Sequence, residues 1–148
     1  MVYQSHITDA QEILSDEEII ALMPKNFTFI AELIGVSFAL QLIEAYAGTS
    51  IFIPSKFTLN LQNDISGVIG LKNLRLLAEH MGGEKIEVPM GTAITTHMRN
   101  RLIQNALDKG DSQPKIARKF GVTPRTVRTA RNSKIKPTEP DQNLDLFK

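Results

Sequence analysis

The chain has 148 residues, is 42 % hydrophobic with only two tyrosines, seven phenylalanines and no tryptophan, and carries a formal net charge of +1. That length suits one domain or two small ones around a mainly aliphatic core. The absence of cysteine excludes disulfides and thiolate metal sites, and no apolar run approaches the roughly 20 residues that span a bilayer. The start, MVYQSH, has no basic cluster followed by an apolar run, so no signal peptide is expected and a reducing cytoplasm fits.

The near-neutral total conceals a split. Residues 1–90 hold five Lys/Arg against eleven Asp/Glu, a net of −6. Residues 91–136 hold eleven against two, a net of +9, and residues 137–148 hold one against three, a net of −2. An acidic body carrying a basic module suggests a surface for nucleic acid. The bland reading is a solvated basic face. It fits poorly, because seven of the eleven positives fall within Lys115–Lys134 at helical spacing.

Residues 1–23 read as a flexible N-terminal segment with one short helix. Ser15 followed by Glu18 has the spacing of a capping box, opening a helix that runs to Leu22.

Residues 24–90 contain a repeat. "IAELIGVSFALQLIEAYAGTSIFIP" (30–54) aligns without a gap on "ISGVIGLKNLRLLAEHMGGEKIEVP" (65–89) at an offset of 35, with eight of 25 positions identical. Each unit reads as a short helix stopped by glycine in the left-handed conformation (Gly35, Gly70), a second helix, a further glycine (Gly48, Gly83), a brief strand, and a proline. Ile86-Glu87-Val88 alternates in–out–in. Phe52, between Ile51 and Ile53, marks a more buried strand or an interface. Strands this short are marginal alone, so they need each other or a second chain. Gly82-Gly83-Glu84-Lys85 lacks Walker spacing and precedes a strand, so its glycines read as a helix stop and a turn.

Residues 91–136 turn helical. Thr92 is placed to cap a helix with Ile94, Met98, Leu102, Ala106 and Leu107 on its buried face. Gly110 breaks that helix. Ser112 caps the next, with Pro114 in its first turn. Phe120-Gly121-Val122 forms a tight turn, and Thr123-Pro124 opens a third helix. The pattern is a helix-turn-helix over Gln113–Asn132, with Ile116, Ala117, Phe120, Val122, Val127 and Ala130 between the helices and Gly121 in the turn.

The outward face of the third helix then carries Thr123, Arg125, Arg128, Thr129 and Asn132, side chains suited to base edges in the major groove of double-stranded DNA. Gln113, Lys115, Arg118, Lys119, Arg131, Lys134 and Lys136 are placed for phosphates. For any one arginine the plain alternative is a solvated surface charge.

Three histidines, His6, His80 and His97, stand apart from one another and from metal spacing, so no metal site, cofactor or catalytic group is expected. The length left beside the basic module is too short for a recombinase catalytic domain of ordinary size.

"MGGEKIEVPMG" (81–91), a helix with Arg99 and Ile103, and "KIARKFGVTPRTVRTARN" (115–132) together resemble the Mor transcription activator family, the middle-operon regulators of Mu-like phages. The resemblance covers roughly Ile65 to Ser133. It implies a mainly α fold with short β strands: a helical and β-ribbon dimerisation domain and a C-terminal three-helix helix-turn-helix. It further implies a cytoplasmic protein of a bacterial host, acting as a phage or prophage promoter activator. Such a protein is a homodimer reading a dyad-symmetric site and contacting bacterial RNA polymerase. Strand pairing between subunits puts Ile51, Phe52, Ile53, Ile86 and Val88 at the dimer interface. The duplicated unit departs from the family pattern and leaves pairing within one chain equally open. A repressor or architectural phage protein without polymerase contact is the alternative function.

Residues 137–148 read as a mobile acidic tail ending in "QNLDLFK". Gln142, Leu144, Leu146 and Phe147 either fold back on the body, have no role, or dock in a peptide-binding pocket of another protein such as the sliding clamp or the polymerase.

Overall fold

The computed structural model describes residues 6–57 and 64–135. Lys136 and the tail motif Gln142–Phe147 lie outside them. The described residues are mainly helical with one small two-stranded sheet, the class expected.

The N-terminal segment is more structured than its sequence suggests. A 3-10 turn over Ile7–Asp9 leads into α1 (Ala10–Ile13) and α2 (Asp16–Ala21). Ile7, Ala10, Leu14 and Ile19 are buried in the main core. The expectation of a flexible 1–23 segment is therefore corrected for residues 7–23: spaced apolar residues anchor these short helical pieces on two later helices of the chain. The capping box is present. The Ser15 hydroxyl accepts from the Glu18 amide, and the Glu18 carboxylate accepts from the Ser15 amide.

Next come α3 (Lys25–Ile34), α4 (Val36–Tyr46) and β1 (Ser50–Phe52), then α5 (Asp64–Ile69), α6 (Leu71–Met81) and β2 (Lys85–Glu87). Gly35 and Gly70 each join two helices without an intervening loop. Their φ,ψ values of 96°,154° and 86°,154° are extended with positive φ, not the left-handed helical conformation anticipated. The glycine requirement holds for a different reason: this region of φ,ψ is nearly closed to a residue with Cβ.

The strands pair antiparallel within the chain, Ser50 with Glu87, Ile51 with Ile86 and Phe52 with Lys85. Both have an exposed–buried–exposed pattern. Ile51, Ile53, Ile86 and Val88 point into the core formed with α3 to α6. Of the five residues expected at a dimer interface, these four are thus covered by the chain itself, and only Phe52, 55 % exposed, offers surface. Short strands with one apolar face find cover most readily on an adjacent helical layer.

α7 (Thr92–Asp108) joins both parts of the chain. Ile94 and Met98 belong to the main core; Ile103 and Ala106 belong to a second, smaller one. Its cap is Gly91 at φ 79°, and Thr92 is the first helical residue, not the cap expected. Gly91 leaves no room for a side chain. A Cβ there would stand 2.5 Å from Ile7 Cδ1 and 2.9 Å from Ile43 Cγ2.

Candidate nucleic-acid interface

The second core is built by α7, α8 (Gln113–Phe120) and α9 (Pro124–Arg131), each packed on the other two. Ser112 caps α8 by accepting from the Lys115 amide, with proline in the first turn. Gly121 ends α8 in the left-handed conformation, φ 67° and ψ 35°, which turns the chain sharply. Thr123 then caps α9 by accepting from the Thr126 amide, and Pro124 opens the helix where a missing N–H costs nothing. These local signals fix where both helices begin.

Burial fixes how α9 is rotated. Val127 is fully buried and Ala130 nearly so, packed with Ile103, Ile116, Ala117 and Phe120. Three-residue spacing on a helix puts one stripe inward and leaves the remainder outward. Thr123, Arg125, Arg128, Thr129 and Asn132 are all exposed. So are Lys115, Arg118, Lys119, Arg131 and Lys134, while Gln113 is half-buried. Among the described residues, the only acid paired with this set is Asp111, whose carboxylate lies 3.4 Å from Lys115 Nζ. The face is thus a row of cations and hydroxyls on a short, well-capped helix. The Thr129 hydroxyl donates to the Arg125 carbonyl at 3.1 Å, which restrains its rotamer.

A polar clamp at the C-terminal end of α9 escaped the sequence reading. Gln104 Nε2 donates to the carbonyls of Ala130 (2.9 Å) and Ser133 (2.8 Å). Asn100, one turn earlier on α7 and buried, donates to the Ser133 hydroxyl at 3.2 Å. α9 is therefore tied to α7 by carbonyls in and just past its last turn as well as by its apolar stripe. The available signal was Asn100 and Gln104 at i,i+4, beside Ile103. The buried face expected of α7 included Leu102 and Leu107, which are half-buried; Ile103 is the residue that fills the centre.

Between Asn100 and Gln104 on α7, Arg101 bonds the Glu18 carboxylate and ties α2 to this helix. Arg101 and the cap at Ser15 hold the Glu18 carboxyl below its ordinary range. Burial, and then the Arg101 charge, pushes the nearby His97 down. His80 is exposed on α6, with Nδ1 3.0 Å from the Leu76 carbonyl and its ring edge-on to Phe29. No group of three or more His, Cys, Asp or Glu residues able to hold a metal ion occurs among the described residues. Nor is any helix there long and apolar enough to cross a membrane.

No curated protein and no solved structure matches the chain. One family does: the sequence profile of the Mor transcription activator family matches residues 57–141, a span that takes in α5 to α9 and both capped helices of the basic module. With more than half its length matched, the chain belongs to the Mor transcription activator family.

Proposed function

We propose that the protein is a sequence-specific DNA-binding promoter activator whose α8–α9 pair is a helix-turn-helix. The observation that carries this is the rotation of α9: Val127 and Ala130 are buried, and Arg125, Arg128, Thr129 and Asn132 stand together on the open side. A capped helix of this length fits the major groove with its N-terminal residues toward base edges. Arginine there suits guanine, and asparagine suits adenine. Lys115, Arg118, Lys119, Arg131 and Lys134, with Gln113, hold phosphates on either side and set the register.

In this reading two chains occupy a dyad-symmetric site, because one such module covers too little DNA for tight specific binding. They meet through surface left free by each chain, with exposed Phe52 near the contact. Activation then follows from contact with bacterial RNA polymerase bound alongside. Residues 24–90 form the scaffold of duplicated units, and residues 91–136 the DNA-reading module.

Selection from a random pool of 30-bp duplexes tests the reading directly. The expected product is one enriched motif with inverted symmetry, lost when Arg125 and Arg128 are both replaced by alanine. A pool that enriches no motif would remove the proposal of sequence-specific binding. With the enriched motif placed upstream of a reporter, a rise in transcription supports activation. A fall would assign repression instead.

A further inference from the structure

The two repeated units relate to each other as two subunits of a symmetric dimer do. Ile51 and Ile86 occupy the same place in their units, 35 residues apart, and they pair with each other. On either side, Ser50 pairs with Glu87 and Phe52 with Lys85, each combining the first strand position of one unit with the last of the other. The flanking hydrogen bonds obey the same rule. Gly48 donates to the Val88 carbonyl, and its counterpart Gly83 donates to the Ile53 carbonyl. Ile53 donates to Glu84, and its counterpart Val88 donates to Thr49. The helices follow: α4 packs on α5, and α6, the counterpart of α4, packs on α3, the counterpart of α5. Contact of i with j matched by contact of j with i is the mark of an isologous, two-fold interface.

The symmetry is broken at the outer side of α4, and for a visible reason. The outer side of α4 buries Val36, Leu40 and Ile43. The corresponding residues of α6 are Leu71, Arg75 and Ala78, of which Arg75 is exposed. The 3-10 turn and α2 pack on α4, and among the described residues no such pair of elements packs as closely on α6. The units also diverge after their prolines. Pro89 leads through Gly91 into α7 and the basic module, whereas the residues after Pro54 lead on to α5. The family match begins at residue 57, so it contains the second unit and not the first.

We infer that residues 30–54 are a built-in partner subunit: the ribbon and its helical layer form a two-fold interface closed within one chain, carrying a single basic module. A second copy is then not needed to complete the ribbon, and it joins only on the outside. The ribbon of a lone chain survives dilution, whereas an interface between chains would not.

Cysteine cross-linking tests this, helped by the absence of native cysteine. Backbone hydrogen bonds at Thr49–Val88 and Ile53–Glu84 make Ser50–Glu87 and Phe52–Lys85 the closely spaced pairs between them. Such pairs lie about 4.5 Å apart at Cα, within disulfide reach. The double variants Ser50→Cys/Glu87→Cys and Phe52→Cys/Lys85→Cys alter exposed side chains only. On oxidation of the full chain across a dilution series, both should give a disulfide-closed single chain, confirmed by the mass of a tryptic peptide pair and by single-chain mobility in denaturing gels. Disulfide-linked dimers as the main product at every dilution would overturn the inference, because the ribbon would then be made between chains. Failure of both pairs to oxidise in a chain whose circular dichroism matches the parent would overturn it as well, by removing the register. DNA binding is not a readout here, so loss of the proposed function would leave this result standing.

Discussion

Arg128 and Lys134 are both exposed and both cationic, yet the proposed interface gives them different work. Arg128 lies on the open face of α9, where a guanidinium can grip a base edge with two bonds; Lys134 lies past the helix end, where an ammonium meets a phosphate. Replacing Arg128 by alanine should cost about 1–3 kcal/mol at the selected motif and relax preference at one base position. Replacing Lys134 should weaken all duplexes about equally. Gel-shift titrations on the motif and on a scrambled duplex separate the two, and an Arg128→Ala protein with unchanged preference is not reading a base through that residue. A second residue-scale prediction concerns acid. Glu18 and His97 both have folded-state pKa values below their ordinary ones, Glu18 chiefly through Arg101 and His97 chiefly through burial. In each case the unfolded chain binds a proton more readily, so stability is lost as pH falls. The His97 contribution fades below its ordinary 6.5 and the Glu18 contribution below its ordinary 4.5. Urea midpoints against pH should therefore flatten in the upper window for His97→Gln and in the lower window for Glu18→Gln. Slopes that match the parent in both windows would mean that neither group is coupled to folding.

At the scale of elements, the glycine before α7 is a tight joint, set against the main core. Gly91 has positive φ, and a Cβ would meet Ile7 and Ile43 of the main core. Gly110 also has positive φ but faces open space. Gly91→Ala should thus destabilise by about 2–4 kcal/mol, combining backbone strain with a core clash. Gly110→Ala should cost only about 1 kcal/mol, from strain alone. Equal losses in thermal or urea melts would mean that the close approach of Gly91 to Ile7 is relieved cheaply. This contrast also marks the boundary of what the sequence discloses. Ser15, Ser112, Thr123 and Gly121 were legible because a cap or a turn is decided within four residues. Val127 and Ala130 were legible because one helical period decides which side faces in. Burial of Ile7, Ala10 and Leu14 was not legible, since their helices are too short for a period and their cover is distant in sequence. One clue was present: Leu40 stands where the second unit has Arg75, as expected if α4 alone is covered. The sequence leaves the strand pairing open between one chain and two, because register between segments 35 residues apart is decided by tertiary packing. Gln104 and Asn100 are not legible, because a polar residue on a helix reads as surface until its hydrogen-bond partner is located.

On the scale of the whole molecule, an acidic scaffold and a basic module make different demands on solution conditions. With the ribbon core closed in cis, chain–chain contact has only outer surface to use, and Phe52 is the largest apolar side chain the ribbon exposes. Sedimentation at micromolar concentration should show a dimer that Phe52→Glu weakens; a monomer for both proteins would assign pairing to DNA alone. Salt is the sharper probe. Residues 1–90 carry a net of −6 and residues 91–136 a net of +9, so long-range attraction to DNA arises from the module while the scaffold opposes it. Each phosphate neutralised releases counterions and adds about −0.9 to the slope of log K against log salt. Lys115, Arg118, Lys119, Arg131 and Lys134 thus predict a slope of roughly −4 per bound chain, somewhat less than five full contacts because Lys115 is already paired with Asp111. Lys134→Ala should make the slope shallower by about 1. Lys72→Ala, on the exposed side of α6, should leave it unchanged. Fluorescence anisotropy from about 50 to 300 mM salt measures all three proteins. If Lys72→Ala moved the slope as far as Lys134→Ala, DNA would have to lie along the scaffold, and the α9 face would no longer be its site.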